Sequence, residues 1–182
     1  MHRAASGFTL LEVLVAVLLL SAGLIGAVAM QGHAMRTRHE SALLSQALQA
    51  ASTTADRIRA NAAQAPTYLQ LNYDAIADGA PAPPAARCID AACDGWQMAQ
   101  LELFYLRQLV ATLPGGRARI CRDAVRWSGG QLRWQCSEDP AAPIVVKIGW
   151  RRNRPTGVDG GSDLAPGVAV AVAPSPPAGA AP

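Results

Sequence analysis

Four cysteines, Cys88, Cys93, Cys121 and Cys136, are the residues of this chain best placed to do chemistry. They stand as C-x4-C, a gap of 27 residues, then C-x14-C. Structural zinc sites use two close ligand pairs, and this spacing fits them poorly. An even number of thiols in a small domain fits two disulfides and an oxidising compartment. Three pairings are open; Cys88 with Cys93 and Cys121 with Cys136 close the shortest loops. Asp159-Gly160-Gly161-Ser162-Asp163 offers too few acidic ligands for calcium and reads as a plain loop. All three histidines, His2, His33 and His39, lie in the first quarter of the chain. The sequence carries no G-x-S-x-G, P-loop or dinucleotide pattern. No catalytic centre, metal or cofactor is expected.

Charge gives a second test. The net charge is +3, and fifteen of the sixteen basic residues are arginine. Eight arginines and Lys147 fall in residues 117–154, against Asp123, Glu138 and Asp139. Such a cluster could meet DNA phosphates or an acidic neighbour, but a solvated sheet face explains it with less. Nucleic acid is therefore not an expected partner. A DNA-binding role stays as an alternative.

These residues need elements to hold them. Residues 8–30 are apolar apart from Glu12. As a helix they would be about 35 Å long, enough for a bilayer core of about 30 Å. They are apolar all round, so lipid or other helices must cover them. A cleaved secretory signal is one reading, since Ala27-Val28-Ala29 mimics a small-x-small cleavage site. Glu12 and a short, weakly basic start oppose it. Arg3 precedes the span and Arg36 and Arg38 follow it, so charge alone does not set orientation. The first proline is Pro66, which predicts one helix over residues 9–65. Leu44, Leu48, Ala51, Ala55, Ile58 and Ala62 form its core-facing stripe.

Downstream, residues 66–95 read as loop, with a Pro/Ala tract at 80–84. A helix capped by Asp94 runs to about Thr112, using Leu101, Phe104 and Leu109 with Trp96 or Ala99. Residues 117–127 alternate as a strand and pair with 131–136 about Ser128-Gly129-Gly130. Cys121 then lies two residues out of register with Cys136, which predicts an irregular turn. Residues 144–150 form the clearest strand, 151–163 a polar loop, 168–172 an edge strand, and 174–182 a disordered tail.

Gly7-Phe8-Thr9-Leu10-Leu11-Glu12-Val13-Leu14-Val15-Ala16 strongly resembles the type IV prepilin processing motif. The resemblance implies an α+β type IV pilin fold: a long N-terminal helix, hydrophobic in its first half, packed on a small antiparallel sheet. It divides the chain into a leader (1–7), a transmembrane and filament-core helix (8–30), its amphipathic continuation (31–65), a periplasmic α+β domain (66–173) and the tail (174–182). It implies cleavage by prepilin peptidase between Gly7 and Phe8 and N-methylation of Phe8. It also implies pairing of Glu12 with the amino terminus of a neighbouring subunit during assembly. The expected course runs from a single pass in the inner membrane, amid lipid, to an extracellular pilus.

Leu24-Ile25-Gly26-Ala27, Ala55-Asp56-Arg57-Ile58-Arg59-Ala60-Asn61, the Cys88/Cys93 pair, Leu113-Pro114-Gly115-Gly116, Ile120-Cys121-Arg122-Asp123 and Val146-Lys147-Ile148-Gly149-Trp150 narrow the resemblance to the PilV minor pilins. That implies a non-enzymatic subunit that works with other minor pilins, the major pilin and the inner-membrane assembly platform to prime the pilus. A place at the tip and a role in surface presentation follow from the same likeness. A type II secretion pseudopilin shares the motif and is the nearest alternative.

Overall fold

With no proline before residue 66, the backbone forms a single helix of 51 residues, α1 (Leu10–Ala60). The computed structural model describes residues 9–89, 91–137, 139–151 and 165–172. The chain divides into two compact units, Met1–Ala42 and Leu43–Pro182. Over its described residues the first unit is helix α1 alone.

In the second unit α1 ends five residues before the expected point. Asn61 leaves the helical conformation at φ −119° and ψ 47°, and its Nδ2 donates to Gly95 O at 2.7 Å. A 3-10 turn (Ala62–Gln64) leads into a short helix, α2 (Ala65–Tyr68). Pro66 stands in the first turn of α2, where its missing N–H breaks no hydrogen bond. It starts a helix rather than ending one. Buried Tyr68 donates its hydroxyl to Glu102, and burial followed by that carboxylate pushes its phenol well above the usual range.

The buried face of α1 is also turned from the expected stripe. Ala47, Ala50, Ala51, Thr54, Ala55 and Ile58 face the core, while Leu44 and Leu48 remain 43% and 49% exposed and Ala62 is exposed. Small side chains let the helix axis approach the sheet closely, so alanines occupy the seam and the leucines flank it. Thr54 fits there because its Oγ1 donates to Ala50 O at 2.8 Å.

The sheet has four antiparallel strands in the order β1 (Asn72–Asp74), β2 (Arg117–Arg122), β5 (Ile144–Gly149), β6 (Val168–Ala171). Strand β1 lies in the stretch expected to be loop. Ala118 and Ile120 pair with Ile148 and Val146 across β2 and β5, and all four point into the core. The other layer of that core is α1 and α3 (Gly95–Thr112).

Asp94 caps α3 as expected. Its Oδ1 accepts from Gln97 N at 2.7 Å, and Gln97 Oε1 accepts from Asp94 N at 3.0 Å, a reciprocal capping box. The inward face differs from expectation: Ala99, Leu103, Leu106 and Val110 follow a 4-3-4 spacing and join the core, while Leu101 is buried outside that cluster. Phe104 and Leu109 are half-buried and Trp96 is exposed. The turn after α3 needs Gly116, where a Cβ would lie 2.0 Å from Val110 O.

The expected hairpin is replaced by two arrangements. Strand β2 pairs with β1 and β5. A separate two-stranded hairpin joins β3 (Trp127–Ser128) to β4 (Gln131–Leu132), with Trp127 opposite Leu132. Gly129 and Gly130 close it at φ +59° and +77°, the regular two-residue turn that matches strand twist. The expected irregular turn does not occur. The offset has no consequence for the turn because β2 is not the partner strand of β4. Apart from Arg151, the polar loop of 151–163 lies outside the described residues, as do the Asp159–Asp163 run and the tail of 174–182.

Candidate functional site

Glu12 occupies the first turn of α1 and is exposed. Its backbone N–H donates to Thr9 O at 3.1 Å and to Thr9 Oγ1 at 3.3 Å, so Thr9 acts as the helix cap. The positive end of the helix favours a carboxylate at this position. Gly7 and Phe8, the expected cleavage and methylation residues, lie outside the described residues.

Helix α1 is long and apolar enough to cross a membrane. Its most apolar stretch of 18 residues has a mean hydropathy of 2.7, and none of it is buried. Met30 is 76% exposed, and Leu10 and Ile25 are similarly bare. An apolar surface of this extent needs a cover that the described chain does not supply.

The cysteines lie in the second unit. Cys88 is joined to Cys93 with Cα atoms 5.4 Å apart, and Cys121 to Cys136 at 6.2 Å. The second bridge fastens a strap, residues 123–137, to the sheet face that looks away from the helices. Asp123 begins it, with its N–H donating to Pro143 O at 3.0 Å just beyond the β2–β5 ladder. The strap returns with Trp134 lying over Gly149, where a Cβ would come within 2.9 Å of the indole. Arg117 stacks on the other part of this arrangement, 4.6 Å from the Trp134 ring centre.

Beneath the strap, Lys147 and Asp123 are fully buried. Lys147 Nζ donates to Asp123 Oδ2 at 2.6 Å, to Gln135 O at 2.8 Å and to Arg133 O at 2.9 Å. All three ammonium protons therefore have acceptors. Asp123 Oδ1 accepts from Val125 N at 3.1 Å and from Arg133 Nη2 at 3.3 Å. Burial alone would push the Asp123 carboxyl up. The Lys147 and Val125 hydrogen bonds and the charges of Lys147 and Arg133 outweigh it, and the carboxyl sits below its usual range. Burial pulls the Lys147 ammonium down, and Asp123 offsets only part of that effect.

Three arginines of the cluster bond backbone carbonyls nearby. Arg119 Nη1 donates to Trp134 O at 3.4 Å, Arg122 Nη1 to Ala142 O at 2.9 Å, and Arg133 Nε to Val125 O at 2.5 Å. Arg126 is exposed, while Arg152 and Arg154 lie outside the described residues. The guanidinium groups of Arg119, Arg122 and Arg133 are thus bonded to backbone carbonyls and do not form the freely solvated face expected from sequence. Among the described residues no group of three His, Cys, Asp or Glu side chains could hold a metal ion.

Residues 2–28 match the family model described as the prokaryotic N-terminal methylation motif, and residues 29–104 match that of type IV pilin Tt1218. Over these residues the chain is similar to type IV pilins. No curated protein and no solved structure gives a match. The pilin fold is met by the long apolar N-terminal helix and the small antiparallel sheet. Together the apolar helix and the pilin motif point to membrane anchoring and then to the pilus.

The sequence places Lys147 among the surface charges, and its partnership with Asp123 emerges only in the structure. One signal was available. Lys147 is the chain's only lysine, and it interrupts the apolar run Ile144-Val145-Val146-Lys147-Ile148 at a position where the other basic residues are arginine. A lone cation in a strand buried on both faces must bring its counter-charge with it.

Proposed function

We propose that this protein is a minor type IV pilin, similar to the PilV group, that primes pilus assembly and stays at the tip. Prepilin peptidase cuts between Gly7 and Phe8, and the new Phe8 amine is methylated. The second unit stands in the periplasm on a single membrane pass, where its cysteines meet oxidising conditions. The helix then moves from inner-membrane lipid into contact with other minor pilins and the major pilin, driven by the assembly platform.

One observation carries this reading: a helix surface bare over its most apolar stretch, with Glu12 the single acid of residues 10–30 and in the first turn. Lipid satisfies that surface before assembly and neighbouring helices satisfy it afterwards. In the drier environment of a helix bundle the carboxylate needs a cation, and a Phe8 amine on an adjacent subunit supplies one.

Mass spectrometry of native protein is expected to find the chain beginning at methylated Phe8. A start at Met1 or Met30 would overturn the reading. Glu12→Ala is expected to be cut normally yet fail to enter pili, and normal incorporation would refute the role of Glu12. Deleting the chain is expected to remove surface pili and leave protein secretion intact. The opposite pattern would assign it to type II secretion as a pseudopilin.

A further inference from the structure

The strap and the buried lysine depend on one another. Two of the three acceptors of Lys147 Nζ are strap carbonyls, and the third is the carboxylate of Asp123 at the strap's base. Arg119 holds the carbonyl between them, that of Trp134. Carbonyls 133, 134 and 135 are therefore all gripped by cations of the sheet, immediately before Cys136. That grip delivers Cys136 to Cys121.

We propose that the Cys121–Cys136 bridge and Lys147 are coupled fasteners of one redox-sensitive latch, such that reducing the bridge opens residues 123–137 and uncovers the chain's only lysine. A dithiol performs the step by thiol–disulfide exchange: it leaves as its cyclic disulfide, and Cys121 and Cys136 each gain a hydrogen. The bridge closes a loop of 14 intervening residues, and its loss returns that loop's conformational freedom. A half-open strap would leave the ammonium buried with missing acceptors, which is strongly disfavoured. Full opening gives it water. The acceptors accordingly leave together, and the latch has two states. The released segment carries Val125 and Trp127, the latter 61% exposed even when the latch is shut.

Coupling of this kind is reciprocal. Removing the bridge and removing the lysine must each weaken the other fastener by the same factor. The test uses the full chain in detergent micelles, labelled with N-acetoxysuccinimide and mapped by peptide mass spectrometry, which separates Lys147 from the terminal amine. Cys121→Ala with Cys136→Ala is expected to raise the Lys147 labelling rate by about tenfold or more, within the usual range of coupling factors. Cys88→Ala with Cys93→Ala is expected to leave it unchanged. An unchanged rate in the first variant, or an equal rise in both, would overturn the latch.

The converse experiment covers a first variant that fails to fold. Asp123→Leu with Lys147→Met removes the fully buried pair together, and Arg133, which is partly exposed, keeps its bond to Val125 O. At a fixed glutathione ratio it is expected to shift Cys121–Cys136 toward the reduced form by about the same factor, with Cys88–Cys93 unmoved. Wild-type poise in this variant would equally overturn the proposal.

Discussion

Between Leu10 and Met35, helix α1 turns large apolar side chains outward on every side; between Ala47 and Ile58 it buries alanines and a threonine against a sheet. The first stretch carries more hydrophobicity and has no partner for it among the described residues. The second carries less and has most of it matched, Leu48 apart. Hydrophobic content and fold stability are therefore separate properties along one helix. Stability comes from surface removed from water within the chain. The first stretch holds its surface available for lipid or for other helices.

Substitutions in the two stretches, and in the strap beyond them, should separate along this line when unfolding of the second unit is followed by chemical denaturation. Lys147→Ala is expected to be the most damaging, at about 3–5 kcal/mol, because it strands the Asp123 charge in the interior. Ile58→Ala comes next, at about 2–5 kcal/mol of lost burial and cavity. Asp94→Ala, which removes the cap of α3, is expected to cost about 1 kcal/mol. Leu14→Ala is expected to stay within about 0.5 kcal/mol. A large loss from Leu14→Ala would break the comparison.

Acid should sharpen the contrast further. The Asp123 carboxyl is held below the usual carboxylate range, so it binds protons less readily in the fold than in the unfolded chain. Its stabilisation is complete above the unfolded value of about 4 and is lost as pH falls through the folded value. Denaturation midpoints should drop across that window, and Asp123→Asn should flatten the dependence.

The elements legible in the sequence are those that local chemistry controls. The course of α1, the Asp94 cap, the strand at 144–149 and the edge strand at 168–171 follow from apolar pattern and turn residues. Long-range pairings hid the rest. Leucines outrank alanines in hydrophobicity, so the stripe reading chose Leu44 and Leu48, although contact with a sheet selects small side chains. Alternation continues through Asp123, Val125 and Trp127, but Asp123 turns inward to meet a lysine 24 residues away, and the strand ends at Arg122. Strand β1 has only three residues, too few for any period to register. At the start of the helix, Glu12 was legible as a lone acid in an apolar run.

The four tryptophans divide evenly: Trp134 and Trp150 are buried, while Trp96 and Trp127 face solvent. The native emission spectrum should accordingly be a composite, its long-wavelength half accessible to iodide and its short-wavelength half shielded. Because Trp134 rides on the strap and Trp150 does not, a red shift confined to half of the shielded light would mark movement of that segment alone, with no dye attached to the molecule.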